Sequence, residues 1–222
     1  MSHRHPQAPT FVRPAKPVTF LDVRPAITGF PRNLSWGDYR QVPAPLARQQ
    51  DAWTFAEGTP VSTVSVQVVD NQYRVAGLRA GVNLVSYQTW AVIGRQTPSL
   101  LQHEQGHYDI TGLITRDFVR DVLNLAIDVS LANRRGLAGG PLRWATQEMM
   151  AKITAIKQES DRLTAKLQTL PGSTQDGLYD HLTKHGRDRH AQAIWDRRLF
   201  NLIYVQWDAS FKKTLHAAHV IH

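Results

Sequence analysis

The stretch Leu100-Leu101-Gln102-His103-Glu104-Gln105-Gly106-His107-Tyr108-Asp109-Ile110 constrains this chain more than any other. Leu100, Leu101, Ile110, Leu113, Ile114 and Phe118 recur at helical spacing, and an apolar stripe of that period belongs to a helix at least half buried. On a helix, residues four apart sit one above the other, so His103 and His107 share a face. Buried imidazoles need partners, and two at this spacing can be directed at one metal ion. Glu104 follows the first of them and is placed to reach a water on that ion. With ten His and four Glu in 222 residues, His-Glu-x-x-His would arise by chance in roughly one such chain in a hundred. The chemistry it encodes is hydrolysis by a metal-activated water, with Glu104 as general base.

Residues 1 to about 30 hold Pro6, Pro9, Pro14, Pro17 and Pro25 and read as a disordered tail. Residues 31–222 read as one domain. A first short strand is expected over Val18–Val23, a strand or strand end over Leu34–Arg40, and another over Ala52–Phe55. Val61–Val69 is the strongest candidate, β-branched and alternating. Asp70-Asn71 then reads as a turn, with Gln72–Leu78 returning antiparallel. Val82–Val92 supplies the remainder of a small, mostly antiparallel sheet over 31–96. At Thr97-Pro98 the pattern changes class: Thr97 can cap, and Pro98 suits a first helical turn. Three long helices are expected over 97–222. The first runs to about Ala132 and ends before Arg134–Pro141. The second spans about 142–170 with a heptad-like seam from Leu142 to Leu170. The third spans about 187–217. The predicted fold class is α+β, the sheet packed on the three helices, in the manner of a zincin.

Cysteine is absent, so a zinc site must use His, Asp or Glu. A catalytic zinc usually has three protein ligands and a water. Downstream of the motif the candidates are Glu148, Glu159, Asp180, His181, His185 and His190. Asp109 lies about 200° around the helix from the paired histidines and is expected to anchor the 179–186 connector or another loop.

The string Leu100–Ile110 resembles a bacterial family of predicted secreted zinc-dependent proteases with an H-E-Q-x-H-[FY]-D-I motif. A second family motif, Y-D-x-x-T-x-H-G followed by Gln and Trp, is matched by Tyr179-Asp180-His181-Leu182-Thr183-Lys184-His185-Gly186, Gln192 and Trp195. Trp36-Gly37-Asp38-Tyr39 fits a weaker upstream element. This resemblance covers roughly residues 33–200. It implies a zinc peptidase with His103 and His107 as ligands and His185 as the third, Asp180 being the alternative third ligand or an orienter of a ligand imidazole. Gly186 would allow a close backbone approach. Tyr179 could donate its hydroxyl to a developing oxyanion or be a packed aromatic.

No apolar run is long enough to span a membrane. Met1-Ser2-His3-Arg4-His5-Pro6 lacks the apolar core of a signal peptide, so the sequence as given reads as cytoplasmic, whereas the resemblance implies export. The formal charge is +8, which favours acidic partners, yet the cations are scattered without aromatic interleaving. Two functions follow: a zinc-dependent peptidase acting on peptide or protein, or a non-catalytic zinc-containing module whose basic surface binds an acidic partner such as nucleic acid.

Overall fold

A computed structural model of the chain describes residues 23–44, 50–60, 64–136, 139–170, 173 and 175–221. Its strands are β1 (Ile27–Thr28), β2 (Arg40–Val42), β3 (Ala52–Trp53), β4 (Ala56–Pro60), β5 (Ser65–Val69), β6 (Gln72–Ala76), β7 (Ala80–Leu84), β8 (Trp90–Val92) and β9 (Ala126–Asp128). Its α-helices are α1 (Pro98–Leu123), α2 (Val129–Arg135), α3 (Pro141–Leu167), α4 (Leu178–Thr183), α5 (Arg189–Phe200) and α6 (Phe211–Ala217).

The class is α+β. The strands form three small sheets rather than one, in the orders β1-β7-β4, β2-β8-β3 and β5-β6-β9. Four of the six pairings are antiparallel; β1–β7 and β2–β8 are parallel. The hairpin expected around Asp70-Asn71 is present, Val66 opposite Val75 and Val68 opposite Tyr73. Both turn residues have positive φ, 48° and 59°, the geometry that matches the twist of a two-residue hairpin. Part of the expected Val61–Val69 strand, residues 61–63, lies outside the described residues.

The first helix is shorter than expected. Asn124 caps α1, and the chain then extends through β9 to complete the β5–β6 sheet. The side chain of Asp128 accepts from Ser130 N and Leu131 N and starts α2. From Leu123 the large apolar residues alternate, Leu123, Leu125, Ile127, Val129 and Leu131, which is the period of a strand rather than of a helix, so the helix expected to about Ala132 ran past a local change of pattern. The expected third helix is likewise divided into α5, a five-residue π-helical turn over Asn201–Val205, and α6. Buried Trp207 between them stacks on Phe30 at 5.9 Å. Leu34–Arg40 is a loop with one 3-10 turn at Trp36–Asp38, closed by a Ser35/Asp38 capping box, and joins a strand only at Arg40. Of the expected tail over 1–30, residues 1–22 lie outside the described residues, and the rest is ordered: Val23, Ile27 and Phe30 are core residues and β1 pairs with β7. Val23 is not in a strand, and the rest of the expected Val18–Val23 strand lies outside the described residues.

Around α1 everything else is arranged. Thr97 caps it, accepting from Leu100 N, with Pro98 in the first turn. It packs on α3, α5, α6, β4 and β7. Its burial runs nearly all round from His103 to Val122, as befits a helix enclosed by a domain rather than lying on its surface.

Candidate metal centre

His103 and His107 lie on one face of α1 and are 2% and 8% exposed. The connector that includes α4 brings Asp180 against them. Asp180 Oδ1 lies 3.0 Å from His103 Nε2 and 3.0 Å from His107 Nε2. His185 Nδ1 stands 3.5 Å from the same oxygen. His103, Asp180 and His185 offer ligand atoms all within 4.8 Å of one another and could hold a metal ion.

Hydrogen bonds on the far side of each ring set the tautomers. Gln192 donates its Nε2 to Tyr179 Oη at 2.8 Å and to Asp196 Oδ1 at 2.7 Å. Its Oε1 therefore faces His103 Nδ1, at 3.1 Å. Gln168 donates its Nε2 to His107 O at 3.0 Å and Thr111 Oγ1 at 2.7 Å, leaving Oε1 for His107 Nδ1 at 3.1 Å. An amide oxygen only accepts, so both Nδ1 atoms carry hydrogen. In the neutral rings both Nε2 atoms are then lone pairs pointed at a carboxylate, acceptor against acceptor. A proton or a cation must lie between them. Asp180 promotes the former at His107: burial works against a charged ring, yet the adjacent carboxylate pushes its pKa up to about 9. Burial likewise opposes ionisation of Asp180, but His107, His103 and His185 hold it far below the usual carboxylate range. A carboxylate, imidazole nitrogens turned inward and outer amides that fix ring orientation make a donor set that could hold a metal ion.

Glu104 is 3% exposed, and its Oε2 has no hydrogen-bond partner among the described residues. It lines a cleft of about 350 Å³ together with His103, His107, Asp180, His185 and the β3 segment Ala52–Thr54. A buried polar group left unpaired costs about 1–3 kcal/mol, so Glu104 Oε2 is an acceptor available to a group in the cleft.

The expected oxyanion role for Tyr179 does not fit its position. Its ring is fully buried, stacked on His103 at 4.9 Å and 8° and set edge-on to His107. Its hydroxyl donates to His103 O at 3.1 Å and accepts from Gln192, and it does not line the cleft. Burial keeps the phenol well above its ordinary pKa. Tyr179 is a platform beneath the imidazoles of His103 and His107. Gly106 is glycine for that reason: a Cβ there would lie 2.0 Å from Tyr179 Oη.

His185 reaches the cluster but is also drawn outward, its Nε2 3.0 Å from Asp176 Oδ2. Its backbone and that of Lys184 are left-handed, with φ of 53° and 49°, followed by Gly186 at 76°. Gly186 makes the close approach expected of it, since a Cβ would fall 2.8 Å from His103 Cβ. His181 and His190 are exposed and join no such group among the described residues. Glu148 is exposed, and Glu159 pairs with Lys212 at 2.5 Å; neither lines the cleft. Asp109 does not touch the connector: its Oδ1 accepts from Gln105 Nε2, which also donates to Arg32 O, while Gln105 Oε1 accepts from Leu34 N. It thus anchors the 32–34 segment through Gln105.

Residue types alone did not mark Gln168 or Thr169. Thr169 Oγ1 donates to Asp180 Oδ2 at 2.5 Å and accepts from Gly177 N, fixing the carboxylate. Gln192 and Trp195 were visible only as parts of a motif; Trp195 packs edge-on behind Tyr179 at 5.3 Å. Tyr39 Oη bonds Thr54 Oγ1 at 2.7 Å and so ties the Trp36–Tyr39 element to the strand at the cleft. No family model, curated protein or solved structure matches this chain.

Proposed function

We propose that the chain is a zinc-dependent peptidase. The observation that carries this reading is the buried, unpartnered Oε2 of Glu104 in a cleft whose floor holds inward imidazole lone pairs and Asp180. A structural metal would need the ligands but not that carboxylate. His103, His107 and Asp180 would hold the ion, with His185 at the rim. When bound, zinc supplies a Lewis acid and lowers the pKa of a water to about 7. Glu104 takes the proton of the attacking water and can return it to the leaving amine. Gln168, Gln192 and Tyr179 hold the ligand rings in place throughout. The cleft is also lined by β3, an edge strand of its sheet, and an edge strand offers backbone groups for an extended peptide to pair with. That feature favours a peptide over a compact small substrate. The resemblance of the two sequence motifs to zinc proteases points the same way.

Zinc-loaded protein should cleave members of a broad peptide library. Glu104→Gln keeps shape and metal but removes the base, and should lower the rate on the order of a hundredfold or more. Cleavage at the parent rate by a zinc-loaded Glu104→Gln protein would refute the assignment.

A further inference from the structure

The cleft that holds Glu104 continues past His107. On α1, Leu100, Glu104 and His107 line it, while Thr111, Ile114 and Phe118 line a second cleft of about 430 Å³. At about 100° per residue these six fall within about 40° of one line along the helix, so one stripe of α1 floors both clefts. The walls run on in the same order. Residues 50–54 line the first cleft and residues 55–60 the second; across from them, Thr169 lines the first and Leu170 and Thr164 the second. The chemistry changes along the way. Carboxylates and imidazoles line the first cleft, whereas Ile114 and Phe118 floor the second and Leu170, 38% exposed, stands on its wall. The charged residues of the second cleft are exposed, and two of them, Lys157 and Asp161, pair at 2.6 Å. β4 lines it with every residue rather than every second one, so the strand presents its edge and not one face. Among the described residues that edge is free, since β4 pairs with β7 alone.

We propose that the second cleft is a distal subsite of the same active site and takes apolar side chains of an extended peptide substrate. The inference rests on the peptidase reading. From His107 the helix rises about 10 Å to Ile114 and about 16 Å to Phe118. An extended chain covers that distance in roughly three to five residues. Preferred substrates therefore carry Leu, Ile, Phe or Met roughly three to five residues from the bond that is cut. Their backbone pairs with the edge of β4 while those side chains turn toward Ile114 and Phe118. A compact ligand could fill one cleft, but it would use neither the continuity of the two nor the strand edge.

The test selects from a pool of random peptides of about twelve residues, long enough at about 3.3 Å per residue to span both clefts. The full chain, zinc-loaded and carrying Glu104→Gln to slow turnover, is immobilised, and the retained peptides are sequenced. They should be enriched in apolar residues. In the same background Thr164→Trp, which fills the second cleft, should reduce their retention at least tenfold. Leu170→Ser should reduce it by less, and Tyr87→Ser, at an exposed residue of another segment, should change nothing. Circular dichroism checks that each variant is folded, and Leu170→Ser, at an exposed position, keeps the test decisive if the bulkier variant is not. Given to the protein with Glu104 intact, the retained peptides should show a KM raised at least tenfold by Thr164→Trp with kcat unchanged, the mark of lost binding away from the reacting bond. No retention, retention indifferent to apolar content, or retention unchanged by Thr164→Trp and Leu170→Ser would overturn the proposal. Retained peptides that the protein with Glu104 intact leaves uncut would refute the peptidase reading and still uphold the second cleft as a peptide site.

Discussion

Two carboxylates are buried on or against α1, each between two basic side chains, and they behave in opposite ways. Near the C-terminal end, Asp117 Oδ1 accepts from Arg116 Nε and Nη2 at 3.2 and 2.9 Å and lies 3.1 Å from Arg120 Nη2. Its Oδ2 accepts from Phe211 N at 2.7 Å and Ser210 Oγ at 3.0 Å. Arg116, fully buried, spends its remaining donors on Leu202 O and Ala209 O. Every partner there is a permanent one. Near the other end, Asp180 Oδ1 faces the Nε2 atoms of His103 and His107 at 3.0 Å, an arrangement that needs a proton or a cation between them, and Glu104 Oε2 has no hydrogen-bond partner among the described residues. A fully satisfied buried network fastens the elements it joins, whereas a buried polar atom left unpaired, as Glu104 Oε2 is among the described residues, is costly. The first fastens the 207–212 break to α1, while the second opens on a cleft.

The largest effect should come from damaging the satisfied cluster. Asp117→Ala leaves Arg116 buried without its anion and should cost about 3–5 kcal/mol of stability, read by chemical denaturation. A loss under about 1 kcal/mol would show that the two clusters do not differ in kind. Next in size is metal. Zinc at a hundredfold above its Kd should stabilise the parent by about 2.7 kcal/mol. A chelator should remove that increment from the parent and leave a His103→Ala, His107→Ala double variant unchanged. Equal zinc content in both proteins would break the contrast.

The ligand shell sharpens it further. If Asp180 is a ligand, Asp180→Ala should lose far more zinc affinity than His185→Ala, measured by competition with a chromophoric chelator; the reverse order would make His185 the third ligand. Gln168→Ala and Gln192→Ala should each cost about tenfold to a hundredfold in affinity, because they set the tautomers without touching the ion. The smallest effect concerns the basic charge. Duplex DNA should bind weakly and be lost as salt rises, since each neutralised phosphate releases counterions. Tight binding at physiological salt in a gel-shift titration would favour the non-catalytic reading.

Local patterns named the right helix and hairpin. Thr97-Pro98 marked the start of α1, Asp70-Asn71 marked the turn, and the spacing of His103 and His107 placed both rings on one face. Each of these depends on residues within a few positions of one another, where helical or strand period controls geometry. The sequence could also narrow the candidates beside the two histidines to a few downstream residues, among them Asp180 and His185, which join His103 in a group that could hold a metal ion.

What it could not reveal were relations between distant segments. The alternation of Leu123, Leu125, Ile127 and Val129 signals extended chain after Asn124, but nothing there says that it will pair with β6, and nothing in the α5–α6 stretch says that Asp117, far upstream, will hold it broken. Gln168 looks like any helix-end glutamine until His107 lies against it. Tyr179 looked like a donor to substrate because its type allows that; packing turned its hydroxyl to His103 O instead. Side-chain chemistry and period are properties of the local chain. Which donor faces which acceptor is set only when the chain closes, because buried polar groups must find partners wherever the fold brings them.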